Sequence, residues 1–159
     1  FDQAKANFDS QAEVILSGAR GQSSVFEQEK YVHDALMEMV EYDENSDMNQ
    51  SAYSALVLGR SVCAGYARSF QYLMQQLGIP CYYCTGTSGE DHAWNIIKLD
   101  QTYYNVDVTW DDPISNGPVS ERMAHRYFNV TSEFLRQNDH QWDETQAEEA
   151  AGTAWAWQG

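Results

Sequence analysis

Gly59–Pro80, GRSVCAGYARSFQYLMQQLGIP, sets a cysteine at the mouth of an apolar helical rhythm. Tyr66 and Ala67, Phe70, Leu73 and Met74, and Leu77 recur at three- and four-residue steps, the spacing of one buried helix face. Gly78 suits the left-handed residue that closes a helix, and Pro80 forbids continuation. Cys63 is therefore expected at or just before the first turn. Unpaired N–H groups and the helix dipole favour an anion there, and a thiolate is such an anion. The competing reading is a small buried hydrophobe, the commoner fate of a free cysteine.

Outward from this stretch, the N-terminal part (1–50) reads as helical. Phe8, Ala12, Ile15 and Leu16 share a face that Gly18 and Gly21 are expected to end. A second helix has Ser23 or Ser24 as cap, Glu27 and Gln28 in its first turn, and a Val32, Leu36, Met39, Val40 stripe. His33, beside that stripe, reads as a surface or boundary histidine. Tyr42 to Asp47 is a polar loop, and Tyr53 to Leu58 a short helical turn. After Pro80 the period changes. Cys81–Thr87, His92–Leu99 and Thr102–Thr109 read as strands, with turns at Ser88–Asp91 and Asp100-Gln101. Asp111-Asp112-Pro113 and Asn116-Gly117-Pro118 read as loop and Arg126–Val130 as a further strand, and Thr131 caps a short helix through Gln137. The tail, 140–159, is acidic and carries Trp155 and Trp157, which either pack on the domain or mark a seam. Helices followed by antiparallel strands predict one α+β domain over 1–159, with its core at about 53–128.

Composition narrows the function classes. The 159 residues are 43% apolar and 13% aromatic, enough for a real core. Nine Lys plus Arg against 24 Asp plus Glu give a formal net charge of −15. That argues against nucleic acid and anionic membrane as partners, because both require clustered positive charge. No apolar run reaches the roughly eighteen residues of a membrane span. The chain opens on Phe1 with no signal-peptide pattern, as a trimmed or processed product does, so an upstream domain or anchor would be out of view. Three cysteines allow one disulfide and a spare thiol. The compartment stays open, an extracellular or cell-surface setting being one reading.

The second and third strands carry the geometry that matters. With Asp100-Gln101 as a two-residue turn, Leu99 pairs with Thr102 and paired numbers sum to 201. His92 then sits opposite Thr109 and Trp94 opposite Asp107, which makes His92 and Asp107 diagonal neighbours on one face, roughly 7 Å apart at Cβ. A three-residue turn would throw them to opposite faces. A histidine held by a carboxylate is an oriented base, and against a helix-start thiol it makes a thiolate–imidazolium pair. The alternative for the pair alone is a buried structural hydrogen bond.

The string Val62-Cys63-Ala64-Gly65-Tyr66-Ala67, then Gly78-Ile79-Pro80, His92-Ala93-Trp94-Asn95 and Asp107-Val108-Thr109-Trp110-Asp111-Asp112-Pro113 resembles the bacterial transglutaminase-like superfamily. The likeness runs from about Tyr53 to Phe128 in the right order. It implies a papain-like α+β fold, with the nucleophile helix packed on an antiparallel sheet and a Cys-His-Asp triad. Cys63 is then the nucleophile, His92 the base and Asp107 the orienter. Such families attack an amide carbonyl with the thiolate to give a thioester, which water or an amine resolves. The Cys63 backbone N–H is one expected oxyanion donor and Tyr53 a second, with a packed aromatic as the other reading of Tyr53. Tyr66, Trp94 and Trp110 are expected to wall or support the cleft, and Asn95 to be structural.

Cys81 and Cys84 form a C-x-x-C, yet residues three apart on a strand face opposite sides, which disfavours a zinc or redox site. Asp111 and Asp112 before a proline read as turn caps rather than a calcium site. No cofactor or metal is expected. The expected function is a cysteine enzyme acting on a peptide or protein substrate, hydrolysing amides in preference to cross-linking, on the ground that a chain this small lacks the extra domains of cross-linking relatives. The alternatives are a protein-glutamine amine transferase and a non-catalytic peptide-binding module on the same fold.

Overall fold

A computed structural model of the chain describes residues 2–112 and 120–157. Pro113 and the Asn116-Gly117-Pro118 turn expected above lie outside them. Helix α1 (Asp2–Arg20) buries Ala12, Ile15, Leu16 and Ala19. It runs through Gly18 instead of stopping there. A β-carbon on Gly18 would collide with the Tyr31 hydroxyl, so this glycine serves close packing and not termination. Helix α2 (Val25–Met39) is capped by Ser24, whose Oγ accepts from the Glu27 N–H.

Strand β1 (Glu41–Tyr42) pairs in parallel with β2 (Arg60–Ser61). Between them Ser54–Leu58 forms a turn of π-helix that closes on Gly59 at φ 70°. Helix α3 (Cys63–Gln76) follows, and its buried Tyr66, Ala67, Phe70, Leu73 and Met74 are the periodic face read from the sequence. Burying one such large side chain contributes roughly 1.5–3 kcal/mol. Leu77 ends the helix and Gly78 turns the chain at φ 78°.

Strands β3 (Cys81–Ser88), β4 (Glu90–Leu99), β5 (Thr102–Val106) and β6 (Phe128–Val130) form an antiparallel sheet in that order. Gly89 at φ 82° makes the first turn. Asp100 and Gln101, at φ 49° and 70°, make the second in the doubly left-handed form of tight hairpins. Leu99 pairs with Thr102 and Asn95 with Val106, the register that sums to 201. The third strand is shorter than expected. It stops at Val106, and Val108–Asp111 forms a helical turn, α4. Asp107 competes successfully with the sheet because its side chain accepts from the Trp110 N–H and starts that helix.

Alternation divides the sheet into two covered faces. Cys81, Ile97, Leu99, Tyr104 and Val106 meet α1, α2 and α3 in the main core. Cys84, Trp94 and Ile96 meet Tyr127 and Leu135 on the other side. Helix α5 (Glu121–Ala124) buries no side chain of its own; that second layer comes from Tyr127, just ahead of β6, from α6 (Ser132–Gln137, capped by Thr131) and from Trp142 and Ala147 beyond it. The tail returns to the body: Trp155 stacks on Phe26 at 5.5 Å between centroids and Trp157 on His125 at 5.0 Å. Among the described residues no helix is long and apolar enough to cross a membrane.

Candidate active site

The chain approaching Cys63 is held by short polar contacts. Val62 N–H donates to the Asn49 carbonyl at 3.0 Å, and Ser61 Oγ donates to the same oxygen at 2.7 Å. Gly65 packs so closely that a β-carbon would strike the Ser61 side chain and the Ser51 carbonyl. That contact explains the Cys-Ala-Gly run. Cys63 becomes the first residue of α3, half-buried at the floor of an open cleft of about 930 Å³.

His92 lies in the same cleft wall, 8% exposed. Its Nε2 is 2.7 Å from Asp107 Oδ2, and the Cys63 thiol lies near enough to the ring to favour its charged form. Burial pulls His92 down, but the hydrogen bond to Asp107 and the nearby Cys63 sulfur outweigh it and raise the imidazole to about 9. Burial would raise Asp107, yet the bonds from His140 and His92 hold its carboxyl below the usual range. The expected His92–Asp107 neighbourhood is formed by the first residue beyond the β5 ladder, not by a longer strand.

His140 went unnoticed in the sequence. Its Nε2 sits 2.7 Å from the same Asp107 oxygen, while its Nδ1 sits 2.8 Å from the Asn138 carbonyl. The carboxylate beside it in sequence, Asp139, is not the one it meets, so its neighbours give no signal. Only the return of the chain after α6, where Gln141 bridges to Thr87, brings it in.

The remaining expected site residues fall in different places. Trp94 is buried, stacks on His92 at 5.8 Å and donates from Nε1 to Asn105 Oδ1. Trp110, 39% exposed, lies 5.9 Å from His92 and 4.9 Å from His140. Tyr66 is a support: its hydroxyl, deep in the core, donates to Asp112 Oδ2 at 2.6 Å. Tyr53 precedes the π-helical turn, outside the residues lining the cleft. Asn49 and Gln50 line it instead. Asn95 donates to the Ala67 and Tyr82 carbonyls, pinning α3 to the sheet.

His33 corrects the surface reading. It is fully buried, with Nδ1 2.8 Å from Asp34 and Nε2 2.9 Å from Asp111. Burial pulls it down, but the two carboxylates raise it to about 9. Asp111 also accepts from the Tyr127 N–H at 2.7 Å, so this pair ties α2 to α4 and to the loop before β6. Asp111 is thus a buried anchor and not a simple turn cap.

Two groups bring three donor atoms within 4.8 Å of one another, His92–Asp107–His140 and His33–Asp34–His125. Each is the donor set an ion would need, and each is closed by its own hydrogen bonds. Lys30 Nζ, 2.7 Å from Asp34, adds a competing cation to the second. Cys81 and Cys84 lie in different core layers, on opposite faces of β3.

Comparison with known proteins agrees with this architecture. The family model of the transglutaminase-like superfamily matches residues 12–108. A crystal structure of a TGase superposes with a TM-score of 0.61 at 18% identity, over 77% of this chain and 36% of that one. A candidate cysteine protease from Cytophaga hutchinsonii gives 0.57 at 22% identity, over 64% of this chain and 37% of that one. The chain thus spans little more than a third of either structure, and at these identities the likeness is one of fold. No curated protein matches the chain in sequence. With the family model covering more than half its length, the chain belongs to the transglutaminase-like superfamily.

Proposed function

We propose that the protein is a cysteine amide hydrolase in which Cys63 is the nucleophile, His92 the general acid–base and Asp107 the orienter. The observation that carries this is the meeting of Cys63 and His92 in one cleft lining, with His92 held 2.7 Å from Asp107 behind it. With His92 raised to about 9, the ring is charged near neutrality and stabilises a thiolate beside it.

In the first step Sγ attacks the amide carbonyl, the C–N bond breaks and His92 gives its proton to the departing amine. Water then attacks the thioester, His92 takes a proton from it, and the C–S bond breaks to release the acid and restore the thiolate beside the charged ring. The Cys63 N–H at the start of α3 and the Gln50 side chain, which lines the same cleft, supply hydrogen bonds to the oxyanion. Gln50 takes the role first expected of Tyr53. Its backbone is fixed, since Arg68 donates to its carbonyl at 2.6 Å. His140 holds Asp107 through the same oxygen that meets His92 and acts as a positioning residue.

Mass spectrometry of casein incubated with the chain and a primary amine tests the reading. Cleavage or deamidation without amine incorporation supports hydrolysis. Amine incorporation makes it a transferase, and no covalent change at any pH leaves a binding module.

A further inference from the structure

The free edge of the sheet faces this cleft. Strand β3 pairs with β4 on one side only. On its other side Thr87 both donates to and accepts from Gln141, at 2.7 and 2.9 Å. Main-chain groups alternate direction along a strand, so Tyr83 and Thr85 also turn their N–H and C=O groups to the outer edge. Cys81, next in that series, has its carbonyl taken by the Gln71 and Gln75 side chains. Between these two closed ends, no described residue pairs with the main-chain groups of Tyr83 and Thr85.

Tyr83 and Thr85 line both the Cys63–His92 cleft and a neighbouring groove of about 900 Å³. Glu44, Glu90, Asp91, Asp143 and Glu148 line one or the other, and neither lining includes a lysine or arginine. None of the five carboxylates enters an ion pair among the described residues. Pairing is available elsewhere on the same layer: Arg136 alone meets Glu133, Glu144 and Glu149.

We propose that the Tyr83–Thr85 edge takes the substrate as an added β-strand, an extended polypeptide bearing lysine or arginine around the amide that Cys63 attacks. The proposal rests on the catalytic reading above for what happens to the amide, but not for the docking. Each of Tyr83 and Thr85 exchanges two hydrogen bonds with one residue of an antiparallel segment, and these two substrate residues are i and i+2. The main chain supplies the register. The unpaired carboxylates on both flanks select cationic side chains and repel acidic ones.

The test uses the full chain carrying Cys63→Ala and three end-blocked, fluorescein-labelled heptapeptides. One alternates lysine and valine around a central glutamine, one has glutamate for lysine, and one is the lysine peptide N-methylated at alternate residues. Fluorescence anisotropy is expected to show the lysine peptide binding, with N-methylation and the lysine-to-glutamate change each weakening it roughly tenfold or more. Added salt should narrow the charge difference and leave the N-methylation difference standing. Equal binding of the methylated and unmethylated peptides, equal binding of the two charge forms, or no binding of any peptide overturns the proposal. The catalytic reading is followed separately by p-nitrophenyl acetate turnover in the unsubstituted chain. Selective peptide binding without ester turnover supports the edge and removes only the chemistry.

Discussion

His140 Nε2 and His92 Nε2 both lie 2.7 Å from one oxygen, Asp107 Oδ2. The other ring nitrogen of His140 faces the Asn138 carbonyl, so that ring is held at both ends. Asp107 therefore serves two imidazoles through one oxygen. Near His92 the other facing groups are Cys63, Trp94 and Trp110, and Asp111 and Tyr127 stand behind Asp107. Replacing His140 by Gln keeps one donor to Asp107 but removes the competing ring. Activity should then fall about tenfold through looser orientation. The alkaline limb, set by His92 near 9, should move to higher pH because Asp107 then serves one ring instead of two. A pH–kcat profile checks this. A uniform loss with no movement of the limb would assign His140 a structural role only.

The three thiols should react at very different rates. Cys63 is half-exposed in the cleft, whereas Cys81 and Cys84 are buried, with burial raising Cys81 well up and Cys84 to about 11. Iodoacetamide at neutral pH is expected to label Cys63 first, and prior labelling should abolish turnover. Cys63→Ser should do the same without shifting the thermal midpoint. Mass-mapped labelling at equal rates for all three thiols counts against an activated site.

Burial of Glu29 makes stability depend on pH. Its Oε1 accepts from Asn129 at 2.8 Å, while its Oε2 and Asn129 Oδ1 are buried without a partner. Burial pushes the acid up to about 8, the Asn129 bond only partly opposing it. The folded state thus holds a proton that the unfolded chain has released, so this stability is complete below about 4.5 and is lost as pH rises through 8. The full effect is on the order of several kcal/mol. Glu29→Gln should raise the urea midpoint at pH 8 and leave it unchanged at pH 4. Equal shifts at both pH values would mean that Glu29 is charged in the fold.

The helix that opens on Cys63 and the β4–β5 register were legible because both are written in neighbouring residues. Tyr66 to Leu77 repeat on one helical face, and Asp100-Gln101 leaves a two-residue turn between two alternating runs. Where partners are distant, local pattern is silent or misleading. His33 meets Asp111 across 78 positions and His140 meets Asp107 across 33. Thr102 to Thr109 alternates like a strand throughout, yet Asp107 stops it by capping α4. Gly18 looks like a helix end and is a seat for Tyr31. In each case a tertiary contact overrode a local preference.

The His33–Asp111 contact should behave as a buried charge pair, with both side chains inaccessible to solvent. Removing His33 leaves Asp111, which burial already pushes up to about 6, desolvated and without the partner that opposes that rise; breaking such a pair typically costs about 3–5 kcal/mol. His33→Ala is expected to lower stability by that order in a urea titration. The raised His33 adds stability that is complete below about 6.5 and lost as pH rises through 9. The variant should therefore lose less at pH 10 than at pH 6. A loss that does not change with pH would show that His33 contributes by packing alone.

Gln50 distinguishes an oxyanion donor from a wall residue. Its backbone carbonyl is held by Arg68, and Asn49 beside it is held by Val62 and Ser61, so truncating the side chain should leave the loop in place. A donor to the developing oxyanion acts in the transition state more than on the bound amide. Gln50→Ala should accordingly lower kcat about 100-fold with KM little changed. Gln50→Glu removes the donor at similar size and adds negative charge, so it should be at least as damaging. The helix-start N–H of Cys63 would remain as the second donor, which leaves measurable residual turnover. If Gln50→Ala instead raises KM and spares kcat, the side chain contacts substrate but not the oxyanion, and the second donor lies elsewhere along the cleft.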